Sequence, residues 1–145
     1  MKQRPNILFL CTGNSCRSQM AEGWARRLLG QKFNIFSAGL EKHGLNPYAV
    51  QAMAEQGVDI SSHFSKTLED LNQEQIDVVI TVCGHADETC PVFPGSTRKI
   101  HHGFDDPPKL AASAQTDQEK MLPYRRVCLE IKAFIESLES QLGLW

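Results

Sequence analysis

Apolar residues recur along this chain in two rhythms, and the rhythms alternate. Continuous apolar runs at 6–10 (NILFL) and 77–83 (DVVITVC) have the form of strands covered on both faces. NIFSAG at 34–39 reads as another strand ending in a turn, and RKIHHG at 98–103 as a short last one. After the first strand, Met20, Trp24 and Leu28 recur at helical spacing beside Ala21 and Ala25, with Gly30 placed to close the helix. Asn46 followed by Pro47 has the chemistry of an N-cap and a first helical residue; Val50, Met53 and Ala54 follow, and Gly57 marks the stop. TLEDLNQEQ at 67–75 is predicted to be a helix, and residues 107–123, with three prolines among small and polar residues, a loop. The final helix carries Val127, Ile131, Phe134, Ile135, Leu138 and Leu142 on one face. Strands alternating with helices predict an α/β fold with a parallel sheet and right-handed crossovers. Neither an internal repeat nor a boundary-like stretch interrupts the pattern, so residues 1–145 form one domain.

Composition narrows the possible functions. Hydrophobic residues at 41% and charged ones at 22% suit a globular core rather than a disordered chain. A formal net charge of -2 provides no basic field, so neither nucleic acid nor an anionic membrane is an expected partner. The short apolar run near the start lacks a signal-peptide core and cleavage pattern, and nothing is long enough to span a bilayer; a cytoplasmic protein is expected. Five cysteines, an odd count, argue against a structural disulfide framework. Cys128 falls near the apolar face of the last helix and reads as buried and inert, whereas Cys11, Cys83 and Cys90 stand beside strand ends or turns.

The junction after the first strand, CTGNSCRS at 11–18, carries the chemistry. In open α/β sheets, ligands bind beyond the carboxyl ends of the strands. A loop of small residues there turns backbone N–H groups inward, and the start of the following helix adds positive potential. Thr12, Gly13, Asn14, Ser15, Cys16, Arg17 and Ser18 are the candidate oxyanion-binding residues, with Gly13 allowing a tight turn and Asn14 suited to a left-handed conformation. Arg17 offers a planar fork for two oxygens of a tetrahedral oxyanion. Cys11 then lies at the base among donors that favour its thiolate, Ser18 included; Cys16 contributes chiefly its backbone N–H.

CTGNSCRSQMAEGW, SAG at 37–39 and GVDISSHFSK at 57–66 resemble the low-molecular-weight protein tyrosine phosphatase family. VCGHADETCPVFP at 82–94 and HGFDDPP at 102–108 resemble its thioredoxin-coupled arsenate reductase branch. The resemblance implies a four-stranded parallel sheet flanked by helices. It also implies that arsenate, shaped and charged like phosphate, is the substrate, with Asp106 as general acid and Asp105 a structural neighbour. By the same resemblance Cys11 attacks arsenate, Cys83 attacks Cys11, and Cys90 attacks Cys83, passing the oxidation to an external thiol reductant. That reductant is thioredoxin, with glutathione and glutaredoxin as the alternative. No bound cofactor or metal is implied, and a monomer is expected. If 84–90 is helical when reduced, Cys83 and Cys90 stand about 10 Å apart along its axis, too far for a disulfide, so the segment must unwind.

Some relatives hold potassium with residues matching Asn14, Glu22 and Ser37 plus an acid. Here Lys66 takes the fourth position, so no potassium dependence is expected. His102 stands where close relatives often carry tryptophan. Two other readings stay open. A plain tyrosine phosphatase makes Cys83 and Cys90 dispensable, although the chain has only Tyr48 and Tyr124 and lacks an adjacent tyrosine pair beside the acid loop. A metal site or redox sensor would draw on Cys83, Cys90, His85, His101 and His102, but six residues between the cysteines is poor zinc spacing.

Overall fold

In the computed structural model, which describes residues 4–71, 75–88, 93 and 97–142, four parallel strands form one sheet. They are β1 (Asn6–Cys11), β2 (Asn34–Gly39), β3 (Val78–Thr81) and β4 (Arg98–His101), in spatial order β2-β1-β3-β4. Ile7, Leu8, Phe9 and Leu10 of β1 are wholly buried, which is why its apolar run is unbroken rather than alternating. Each such apolar side chain contributes about 1.5–3 kcal/mol on burial. The sheet register sets Cys11 beside Gly39, Leu10 beside Thr81, and Thr81 beside His101, so the carboxyl ends of all four strands lie at one edge.

Helix α1 (Arg17–Leu29) packs on β1 and β2, and with α2 (Pro47–Glu55) it meets the long α5 (Asp117–Leu142). Asn46 caps α2 through its side-chain oxygen, which accepts from the N–H groups of Tyr48 and Ala49, with Pro47 next, as the sequence predicts. On α5, Val127, Ile131, Phe134, Ile135, Leu138 and Leu142 are all buried. The short α3 (Gly84–Glu88) follows β3 and touches β1 and β3. At the outer edge, β4 is mostly exposed, and Arg98 reaches back to the carbonyls of Gln141 and Leu142 at the end of α5.

Two elements differ from the sequence reading. The predicted helix at 67–75 is, within the described residues, only a single tight turn at Leu68–Leu71. Thr67 bridges to Gly39 as an extension of the sheet, and the Asp70 carboxylate accepts from the Thr67 N–H as at a helix start, so the turn opens only after Thr67. Residues 107–123 are not a loop. Pro107 and Pro108 open a short helix, α4 (Pro107–Ala111), where proline is tolerated because first-turn N–H groups need no helical partner. Helix α5 begins at Asp117 and carries Pro123 inside it. Thr116 caps α5, its hydroxyl accepting from the Glu119 N–H, while the Glu119 carboxylate accepts from the Gln115 N–H. The T-x-x-E spacing at 116–119 was the sequence signal for this start.

Candidate active site

Every carbonyl of the loop between β1 and α1 is satisfied from outside the loop. Those of Cys11, Thr12 and Gly13 accept from the N–H groups of Leu40, Glu41 and His43, and that of Ser15 accepts from Asn46. The Asn14 carbonyl accepts from the Ser65 hydroxyl at 2.7 Å and the Gln19 amide at 3.1 Å, and the Cys16 carbonyl begins α1 by accepting from Met20. Because peptide groups are planar and trans, carbonyls turned outward leave the N–H groups of the next residues, 12 to 16, turned inward. The cradle is therefore built by the segments at 40–46 and 65–66.

Asn14 holds the one positive φ, 48°, among described non-glycine residues. Its side chain fixes that geometry, donating to Ser18 Oγ at 2.8 Å and Ser37 Oγ at 3.0 Å and accepting from the Lys66 N–H at 2.8 Å. Gly13 serves a different purpose from the tight turn predicted for it. A Cβ there would lie 2.1 Å from His43 Nδ1, so glycine is what lets the imidazole lie against the loop. Gly39 is similar: a Cβ would meet the Glu41 carbonyl, the Asn14 nitrogen and the Thr12 carbonyl, all within 2.8 Å.

Arg17 closes the ring. One guanidinium nitrogen donates to the Phe104 carbonyl at 3.1 Å and another stands 3.6 Å from Asp106, while its buried Nε has no partner among the described residues, a donor that an oxyanion would fill. Cys11, Thr12, Gly13, Ser15, Cys16 and Arg17 line a cavity of about 360 Å³, whose wall is completed by His43, Asp106 and Pro108. Asp105 faces away and pairs with Arg126 at 3.0 Å, leaving Asp106 as the acid at the cleft. Ser18 is buried as an acceptor for Asn14.

Cys11 and Cys83 are buried next to each other, with the Cys11 thiol placed to donate towards the Cys83 sulfur. Their charges are distributed otherwise than the sequence suggests. The hydrogen bond from Cys11 stabilises a thiolate on Cys83; burial opposes it, but the Thr12 hydroxyl at 3.3 Å, the Ala86 N–H at 3.4 Å and Arg17 add to the stabilisation. The Cys83 pKa is lowered to about 5. Cys11, donating to Cys83 and buried, is raised well above an ordinary thiol despite Arg17 and the Thr12 backbone. In the free cradle the surroundings thus favour the thiol form of Cys11 and the thiolate form of Cys83. Burial drives the Cys16 thiol up as well, which leaves that side chain a hydrophobe. Cys128 packs against Met53 and is raised by burial. Cys90 lies outside the described residues.

Behind the loop, Ser37 donates to Glu22, and Lys66 stands 3.7 Å from the same carboxylate. Burial pushes Glu22 up, but Ser37, Lys66, Arg26 and His63 outweigh it and hold the carboxyl below its usual value. The four positions compared with potassium-binding relatives thus meet in one cluster, with the Lys66 ammonium inside it. Sequence reading missed Gln19 and His63, which hydrogen-bond each other at 3.0 Å beneath Asn14, and His43 on the cavity wall. No local motif marks them, because their partners come from distant segments. His102 stacks on Phe104 and Phe134, with ring centroids 4.6 and 4.4 Å away. Tyr48 and Tyr124, remote in sequence, pair at 5.3 Å.

With this geometry in view, comparisons with known proteins agree on one family. The model for low molecular weight phosphotyrosine protein phosphatases matches residues 6–143. An arsenate reductase of Halalkalibacterium halodurans is 50% identical over 135 residues, covering 90% of this chain and 95% of that protein. A solved arsenate reductase in its oxidized state superposes with a TM-score of 0.76 at 31% identity, over 95% of this chain and 98% of the other. A thioredoxin-dependent arsenate reductase from Corynebacterium glutamicum gives a TM-score of 0.73 at 26% identity, over 99% of this chain and 64% of that one.

Proposed function

Since the chain belongs to the low-molecular-weight phosphotyrosine protein phosphatase family, we propose that it applies that family's oxyanion cradle to reducing arsenate to arsenite by a relay of three cysteines, with thioredoxin as the final reductant. The observation that carries this reading is the buried contact of Cys11 with Cys83 beneath Arg17. Phosphate ester cleavage needs one thiol, whereas reduction needs a second within reach of the first.

Arsenate enters the cradle with its oxygens on the inward N–H groups and the unfilled donor of Arg17. The Cys11 sulfur bonds to arsenic as one arsenate hydroxyl leaves. That hydroxyl takes a proton from Asp106 and departs as water, and the proton of Cys11 restores the acid. Cys83, whose thiolate the Thr12 hydroxyl, the Ala86 N–H and Arg17 still favour once Cys11 has given up its proton, attacks the Cys11 sulfur. The S–As bond breaks with its electron pair going to arsenic, which falls from the +5 to the +3 state, and arsenite leaves after protonation. The two sulfurs have lost two electrons and form a Cys11–Cys83 disulfide. Cys90 thiolate attacks Cys83 and releases Cys11, and the resulting Cys83–Cys90 disulfide is reduced by the dithiol of thioredoxin. The short α3 starts immediately after Cys83 and unwinds to let Cys90 approach.

The test is arsenate-dependent NADPH oxidation with thioredoxin and thioredoxin reductase. Wild type is expected to turn over, while Cys83→Ser and Cys90→Ser stall yet still cleave para-nitrophenyl phosphate. If wild type is silent there but active with glutathione and glutaredoxin, the relay stands with a different reductant. Silence with both, alongside phosphatase activity, overturns the reductase reading.

A further inference from the structure

At the end of the sheet opposite the cradle lies a second cavity, of about 470 Å³, beside the start of edge strand β2. Three arginines line it, Arg4, Arg26 and Arg27, together with Gln31, Asn34 and Phe36, and no acidic residue among the described ones does. Each guanidinium is held in place by a backbone carbonyl: Arg4 donates to Gly30 at 2.7 Å, Arg26 to Ile35 at 2.8 Å, and Arg27 to Gly57 at 2.7 Å. A guanidinium has five donors, so these bonds orient the groups without exhausting them. Among the described residues, Arg26 alone of the three also has a carboxylate partner, Glu22 at 2.8 Å. Arg4 and Arg27, with no carboxylate partner among the described residues, leave the cavity with a positive potential.

We propose that this cavity is a second anion site, built for a small polyanion of phosphate type, with the arginine forks as its ligands and Phe36 as an apolar wall. The site is linked to the cradle through Arg26. Its Nε donates to Glu22, Glu22 accepts from Ser37, and Ser37 accepts from Asn14 in the loop. An anion drawn onto Arg26 competes with Glu22 for that guanidinium. The Glu22 charge beneath the loop is then less compensated, and the cradle holds its own anion less tightly. Linkage requires the converse effect to have the same size.

The experiment uses the reduced, isotope-labelled wild-type protein and methylenediphosphonate, a polyanion without a hydrolysable bridge. Titration is expected to shift the amides of residues 27 and 30–36 with a saturating curve. Arg4→Gln and Arg27→Gln, both changes at exposed side chains, each weaken that curve by about fivefold while leaving the phosphate response of amides 12–18 in place. As the cavity saturates, the affinity of the cradle amides for inorganic phosphate is expected to fall about two- to threefold and then level off, whereas direct competition at the cradle would keep weakening it as methylenediphosphonate is added. Shifts confined to 12–18, a non-saturating response at 27–36, or an unchanged curve in both variants would overturn the site. Unchanged phosphate affinity at saturation would overturn the link through Arg26.

Discussion

At the scale of single residues, the decisive feature is where one proton sits. Two thiols buried in contact cannot both ionise cheaply, and the donors around Cys83 give it the charge. Thiolate ultraviolet absorbance is therefore expected to persist down to about pH 5, to vanish in Cys83→Ser, and to require higher pH in Cys11→Ala, which removes the hydrogen bond. A low-pH thiolate signal that survived in Cys83→Ser would sink this assignment. The sign of the stability effect follows. The unfolded Cys83 thiol keeps its proton up to its ordinary value of 9.0 and the folded one releases it at about 5. Between those values the unfolded state binds more protons, so the Cys83 contribution grows as pH rises through that window and is lost on acidification. Cys11, raised in the fold, is protonated in both states across the same window and does not cancel it. Gly39 gives a second prediction at this scale. Its Cβ would meet three backbone atoms that have no rotamer to escape into, so Gly39→Ala is expected to cost about 1–3 kcal/mol, read from the urea midpoint, and to weaken phosphate binding at the cradle.

At the scale of elements, α3 is short and held by little. It has five residues, Ala86 is wholly buried, and Gly84 and His85 are exposed, so little apolar surface holds it. A helix this short is marginal in isolation. On oxidation of the protein, amide exchange across 84–88 is expected to accelerate by at least about tenfold while α1 is unchanged. Equal protection in both redox states would mean that Cys90 reaches Cys83 without unwinding α3. The helices around the acid illustrate how much element boundaries matter. Because α4 begins at Pro107, the preceding Asp106 is held in an extended conformation, with φ −89° and ψ 103°, at the cleft. Arg126 of α5 meanwhile takes Asp105 out of contention.

At the scale of the whole molecule, strand order explains why two cysteines 72 positions apart in the numbering meet. Sequence order and spatial order diverge at β1, which lies between β2 and β3, so the crevice beyond it opens towards β3 and the Cys83 that follows. The same arrangement brings 65–66, from the segment after α2, under the loop, where Lys66 joins Glu22. The Lys66 ammonium already stands 3.7 Å from Glu22 in that cluster and would compete with a potassium ion there. Arsenate reduction is expected to proceed at the same rate, within about twofold, in potassium and in sodium chloride of equal ionic strength. A large gain with potassium would show that Lys66 does not replace the cation.

The sequence by itself determined the elements whose cause is local. An unbroken apolar run made β1 central, an Asn-Pro pair started α2, and a loop of small residues before an amphipathic helix marked the segment that lines a cavity with Cys11 and Arg17. It misled where a local pattern had two outcomes: prolines at 107–108 fit a loop or a first helical turn, and residues 67–71 were diverted by pairing with Gly39. Tertiary structure alone decided which segments satisfy the loop carbonyls, why Gly13 and Gly39 must lack a side chain, and which thiol carries the charge. The physical reason is range. Periodicity and capping act within a few residues of chain, whereas the proton shared by two sulfurs depends on groups that only the folded sheet brings together.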